Sequence, residues 1–307
     1  MMPRPAAVIT AVAFGLGSLV SARAQDVPRA DSTARARGGA QFLIPLGSLF
    51  VPGLGQYIHG APVSGAALTA TAVGGYVLYF TGDTAVLRQA DLPRHADGQQ
   101  ALTGLLLAGG AGYISAYDTF RRALPALQRE GKYAFVTSPA PTAALLTAPF
   151  DPEFLTRWTT WIDLAYTGAI ALIVLNERDP GVAYEPYKAR DAAFLTGLSL
   201  SAGVGEEATF RGWLLPVLQQ NTGGRFWLSN GIQATVFGGL HISQAKGFAA
   251  VIAAWALYEG WLTRRNGWDI RESIFQHFWY DAIVGTAIFL ADERGPGLVV
   301  RFPTISF

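Results

Sequence analysis

Eight apolar stretches run through the sequence, at about 42–58, 62–80, 101–118, 160–176, 192–218, 226–241, 247–263 and 273–290. A helix needs about 20 apolar residues to cross a bilayer. Inside hydrocarbon every main-chain N–H and C=O must find its partner within the protein, which leaves helices as the natural solution for such segments. The pattern therefore predicts an all-α fold, a polytopic transmembrane bundle of about eight helices with a polar interior cavity. Several spans are shorter than a full crossing and must be surrounded by other helices. Only 15% of the residues are charged, against about 25% in soluble domains. The mean hydropathy is +0.26. A net charge of +1 does not suit a nucleic-acid binder, and with no cysteine there is neither a disulfide nor a thiolate metal site.

The first residues carry Arg4, an apolar run from Ala6 to Val20 and the triplet Ala22-Arg23-Ala24. This order reads as a secretory signal peptide, 1–24, cut after Ala24. Residues 25–41 then form a polar, disordered exported segment. Membrane helices occupy 42–118, a loop 119–157, a second bundle 158–290 and a tail 291–307. The stretch 42–58 contains Pro45, Pro52 and the run VPGLGQ, which predicts a kink or a tight helical hairpin. A re-entrant hairpin would reverse the direction of the N-terminal half. Arg121, Arg122, Arg129 and Lys132 follow the third span, and Arg264, Arg265 and Arg271 follow the seventh. Four crossings separate these loops, so the positive-inside rule places both in the cytoplasm.

Three polar constellations interrupt the apolar runs. In GEEATFR, Glu207 and Arg211 stand four residues apart and can pair on one helical face, while Glu206 points about 100° away. Phe237-Gly-Gly-Leu-His241 places an imidazole at the end of a span, and His277-Phe-Trp-Tyr-Asp281 sets an imidazole and a carboxylate at the same i, i+4 spacing. Ionisable groups within such spans are functional-site hypotheses because burying them is costly. A carboxylate with a neutral imidazole can deprotonate water, and a second imidazole can stabilise an oxyanion. Glu206, His241 and His277 could instead hold a divalent metal such as zinc with one open position. Both versions hydrolyse an amide. There is no serine elbow and no HExxH. Asp118, Asp163 and Glu259 fall near span ends and are expected to snorkel.

The three motifs, in this order, resemble the EExxxR, FxxxH and HxxxN/D pattern of the CAAX-prenyl-endopeptidase and bacteriocin-processing family of intramembrane proteases (CPBP, or Abi), over roughly 158–290. The resemblance implies an intramembrane endopeptidase in which Glu206 activates water with His241 as its partner. It further implies that Glu207 and Arg211 hold the geometry and that His277 donates to the oxyanion. Asp281 stands where the family commonly has Asn, and an ionised Asp can only accept. The implied partners are a peptide or membrane-protein substrate and the lipid bilayer, without nucleic acid. The implied location is the membrane, the inner membrane if the chain is bacterial. A non-catalytic scaffold or immunity-type protein on the same fold is the competing reading, and a proton-coupled transporter is a third. Counting along the spans sends His241 and His277 toward opposite faces, so they can meet only around an interior cavity.

Overall fold

The computed structural model describes residues 40–85, 93, 95–136, 139–176, 187–242 and 249–291. The expected signal peptide, nearly all of the exported segment and nearly all of the tail lie outside the described residues. Within them all regular structure is helical. The helices are α1 (Ala40–Phe50), α2 (Leu54–Ile58), α3 (Pro62–Thr81), α4 (Ala96–Arg129), α5 (Thr142–Thr147), α6 (Trp158–Asn176), α7 (Ala189–Leu200), α8 (Glu207–Thr209), α9 (Leu215–Asn221), α10 (Phe226–Leu240), α11 (Ala249–Arg265) and α12 (Arg271–Leu290). Two of them, α3 and α6, are long and apolar enough to cross a membrane by length and composition.

The central element is α4, 34 residues long. At 1.5 Å per residue it extends about 51 Å. It takes in residues 119–129, where a loop was expected, and Pro125 does not end it. Chain reversal comes only after Arg129, at Gly131, whose φ of 77° suits a residue without Cβ.

The first apolar stretch is not one helix. It breaks at Pro52-Gly53, where Gly53 has φ 98° and a Cβ would meet the Gly65 carbonyl. The hairpin docks on a polar strip of α4. Gly53 N donates to Ser115 Oγ at 2.8 Å, and Gly55 N to Ser48 Oγ at 2.8 Å. Buried Gln56 donates to Asp118 Oδ2 at 3.1 Å and accepts from Ser115 Oγ at 2.8 Å. Leu46 packs among Phe120 and Leu124 of α4, and Leu49 lies against Gly112. So α1 descends antiparallel to α4 and α2 turns back, and α3 starts where Ser64 accepts from Arg122. The hairpin enters and leaves at one end of the bundle, the path a re-entrant segment would take. It brings Ala40 to the end of the bundle where α4 finishes.

That end carries both basic loops. Phe135 and Trp268 meet there at a tilt, with ring centroids 4.7 Å apart, and Arg264 lies 4.4 Å over the Phe226 ring. The shared placement agrees with the charge pattern. The hairpin puts Ala40 at the same end as both basic loops, whereas three successive crossings would have put them at opposite ends. The Pro52-Gly53 reversal is the physical reason.

The chain lacks cysteine, so single cysteines can map these ends. Phe42→Cys and Glu130→Cys should react with an impermeant thiol reagent from one side of a sealed vesicle, and Thr84→Cys only from the other. Phe42→Cys reacting together with Thr84→Cys would refute the re-entrant path.

Candidate active site

Residues 189–221 form one composite helix whose turns change width. α7 passes into a π-helical stretch, Ser201–Glu206, then the single turn α8, then a second π-helical stretch, Phe210–Leu214, and finally α9. π-helical turns are rare and concentrate at functional sites. Glycines let other helices press against this stretch. A Cβ on Gly203 would come within 2.9 Å of the Phe278 amide, and one on Gly205 within 2.7 Å of the Tyr113 ring. One on Gly212 would come within 2.6 Å of the Tyr117 ring. The motif is therefore wedged between α4 and α12.

Within it, Arg211 Nη1 donates to Glu207 Oε1 at 2.9 Å, and both side chains are fully buried. This is the expected i, i+4 pair. The same oxygen accepts from His277 Nδ1 at 2.9 Å. A carboxylate only accepts, so Nδ1 carries a proton. His277 Nε2 lies 3.6 Å from Asp281 Oδ2, beyond hydrogen-bond length. Arg211 also sits 4.6 Å over the Phe237 ring and 5.4 Å from the Trp255 ring. Such cation–π contacts strengthen when desolvated. The imidazole of His277 meets the Trp255 ring at 4.8 Å.

Glu206 differs from its neighbour. It keeps 6% of its surface, against none for Glu207. No hydrogen bond to its carboxylate is found among the described residues. Its charge is felt at His277, Asp281 and Tyr113. His241, at the end of α10, is half-buried, and its Nδ1 stands 2.7 Å from the Phe237 carbonyl. That carbonyl can only accept, so in the neutral ring Nε2 is the bare nitrogen. The two imidazoles flank one aromatic ring: Phe237 is 4.7 Å from His241 and 6.4 Å from His277. They thus approach the same interior region, although counting along the spans sent them apart. No hydrogen bond joins His241 to Glu206 among the described residues.

The metal expectation fares worse. Among the described residues no group of three His, Cys, Asp or Glu side chains is gathered to hold an ion. Glu206, His241 and His277 are not among any such group; Nδ1 of His277 is engaged by Glu207 and Nδ1 of His241 by the Phe237 carbonyl, so each ring presents its Nε2.

Other positions escaped the sequence reading. Asp118, Asp163 and Glu259 are buried, not snorkelling. Asp118 is held by Arg121 and Arg122, at 2.6 Å each. Glu272, at 1% exposure, gathers Arg157 at 2.6 Å, Asn266 at 2.8 Å and Thr159 at the start of α12. Tyr113 and Trp255 border the motif from α4 and α11. Their signal in sequence was absent, since an aromatic in an apolar run reads as packing.

Residues 188–283 match the family model described as type II CAAX prenyl endopeptidase Rce1-like. The match covers under a third of the chain and supports a CPBP/CAAX protease likeness for that segment. It contains all three motifs, and the family is one of membrane-embedded proteases. No curated protein matches the chain, and no solved structure does.

Removing one partner of a buried ion pair strands the other charge, at a cost of about 3–5 kcal/mol. Arg211→Met should therefore unfold far more readily than the parent in detergent, whereas Glu207→Gln combined with Arg211→Met should regain part of the loss. Thermal unfolding of the three purified proteins checks this.

Proposed function

We propose that the chain is an intramembrane endopeptidase that cleaves a peptide bond in a membrane-associated protein or peptide, using water activated by Glu206. The observation that carries the reading is the contrast between adjacent carboxylates. Glu207 is fully buried and bonded to two cations or potential cations, which suits holding geometry. Glu206 retains accessible surface and no protein hydrogen bond among the described residues, which suits a group that must bind water. Catalytic bases need reach to the proton they take.

In this reading Glu206 takes a proton from water as the oxygen attacks the carbonyl carbon. A C–O bond forms, and the carbonyl π electrons move onto oxygen. When the C–N bond breaks, the proton passes to the departing nitrogen, leaving a carboxylic acid and an amine. The bare Nε2 of His241 serves as an acceptor that helps orient the water. His277, doubly protonated between Glu207 and Asp281, offers Nε2–H to the developing oxyanion. Asp281 thereby acts through His277, in line with its inability to donate when ionised. The lipid bilayer is the medium, and the bacterial inner membrane the location that the basic end and spans favour.

General base catalysis contributes about 10²- to 10⁴-fold, so Glu206→Gln should lose cleavage on that scale while keeping the parent's unfolding temperature. Peptide termini in membranes carrying parent or variant at equal abundance provide the readout. Identical termini, together with a broad peptide panel left uncut, would favour the non-catalytic scaffold.

A further inference from the structure

Each cleavage consumes a water molecule, yet Glu207, Arg211 and His277 lie deep between helices. Behind them stands a carboxylate that the proposed chemistry does not use. Glu259 on α11 is fully buried, and neither of its oxygens has a hydrogen-bond partner among the described residues. The hydroxyl of Ser273 stands beside it, 3.5 Å from Glu259's main-chain carbonyl and near enough to the carboxyl to favour its charged form, and it is the one side-chain donor at hand among the described residues. The charged neighbours of Glu259 are Glu207, Asp163 and Arg211. Buried atoms without partners recur around it: Glu207 Oε2, Arg211 Nε, Asp163 Oδ2 and Gln276 Oε1.

Burying polar groups without partners is costly, and a carboxylate costs more than an amide. Proteins meet that cost with internal water, which binds where several polar groups converge. Four such groups around the Glu259 carboxyl satisfy the condition. The polar line continues outward. Tyr258 lies among Glu259, Asp163, Gln276 and Glu272. Gln276 Nε2 donates to Glu272 Oε1 at 3.4 Å, and Glu272 Oε2 accepts from Arg157 at 2.6 Å. The Arg157 side chain is 27% exposed, at the basic end of the bundle.

We propose that Glu259, Gln276 and Glu272 line a file of bound water molecules. It runs from Arg157 at the basic end to the rear of the Glu207–Arg211–His277 cluster and supplies the water consumed in hydrolysis. The supply role rests on the hydrolytic reading above; the existence of the water file does not.

Single cysteines in the full-length, cysteine-free chain test it. The probe is 2-aminoethyl methanethiosulfonate, which reacts with the hydrated thiolate. Glu259→Cys and Gln276→Cys should lose their free thiol in reconstituted protein. Leu262→Cys, at a fully buried apolar position on the same helix, should keep it. Gln276→Cys decides the matter should Glu259→Cys fail to fold. Unreactive thiols at both polar positions, or equal reaction at Leu262→Cys, would overturn the file. For the supply role, Glu259→Leu should lower kcat and leave KM in place, and Glu259→Gln should lose less. Labelled thiols with kcat unmoved in Glu259→Leu would refute supply. If the parent protein cleaves nothing, the hydrolytic reading falls, and labelling still decides the file.

Discussion

One carboxylate oxygen organises this bundle. Glu207 Oε1 accepts from Arg211 in its own helix and from His277 in α12. The Arg211 guanidinium in turn lies against Phe237 of α10 and Trp255 of α11. Four helical segments therefore converge on a single ion pair in a medium where charge is poorly screened. At low dielectric an unpaired charge is far more costly than a strained loop or a kinked helix. The same oxygen also fixes the protonated nitrogen of His277, because a carboxylate cannot donate.

The backbone departs from a regular α-helix on either side of α8. A regular α-helix puts Glu206 and Glu207 100° apart and Arg211 over Glu207. The π-helical turns before and after this motif keep the Glu207–Arg211 pair at 2.9 Å while widening the flanking turns. Gly203, Gly205 and Gly212 then admit the Phe278 main chain, Tyr113 and Tyr117 at distances no side chain would allow. Small residues in this run are thus part of how charged groups are packed between helices. The abundance of glycine in the sequence is explained here by close approach, while at Gly53 and Gly131 it is explained by positive φ.

Much of this was legible in the residues, and the parts that were not share a cause. The i, i+4 pairing of Glu207 with Arg211 follows from helical geometry alone, and so do the all-helical fold and the common end of the two basic loops. Spacing along one chain could not say which partner from another helix would reach an imidazole. Hence Glu207, and not Glu206, turned out to be bonded to a histidine. Periodicity also cannot register a π turn, since one extra residue shifts every later side chain. Asp118, Asp163 and Glu259 were misread for a related reason. A polar residue near a span end looks able to reach water, but here α4, α6 and α11 are enclosed by neighbours or prolonged beyond the apolar run. The VPGLGQ stretch announced a break without its direction, which depends on the polar strip Ser115, Asp118 and Thr119 sixty residues later.

The N-terminal third lies outside the family match, yet it is joined physically to the motif. Tyr113 and Tyr117 of α4 form the surface against which Gly205 and Gly212 pack, and α4 is itself held by α1, α2 and α3. Its Asp118 is satisfied by Arg121, Arg122 and Gln56 together. A hairpin that supplies Gln56 to a buried carboxylate sets the depth of α4 along the bundle axis. That depth determines which tyrosine meets which glycine of the composite helix. Loosening the hairpin would therefore act on the Glu206–Glu207 turn through α4, and through Phe42, whose ring lies 5.6 Å from Trp213 of the composite helix. The hairpin is in this sense a spacer for the carboxylates, and Gly53 and Gly55 admit close neighbours as the glycines of the motif do.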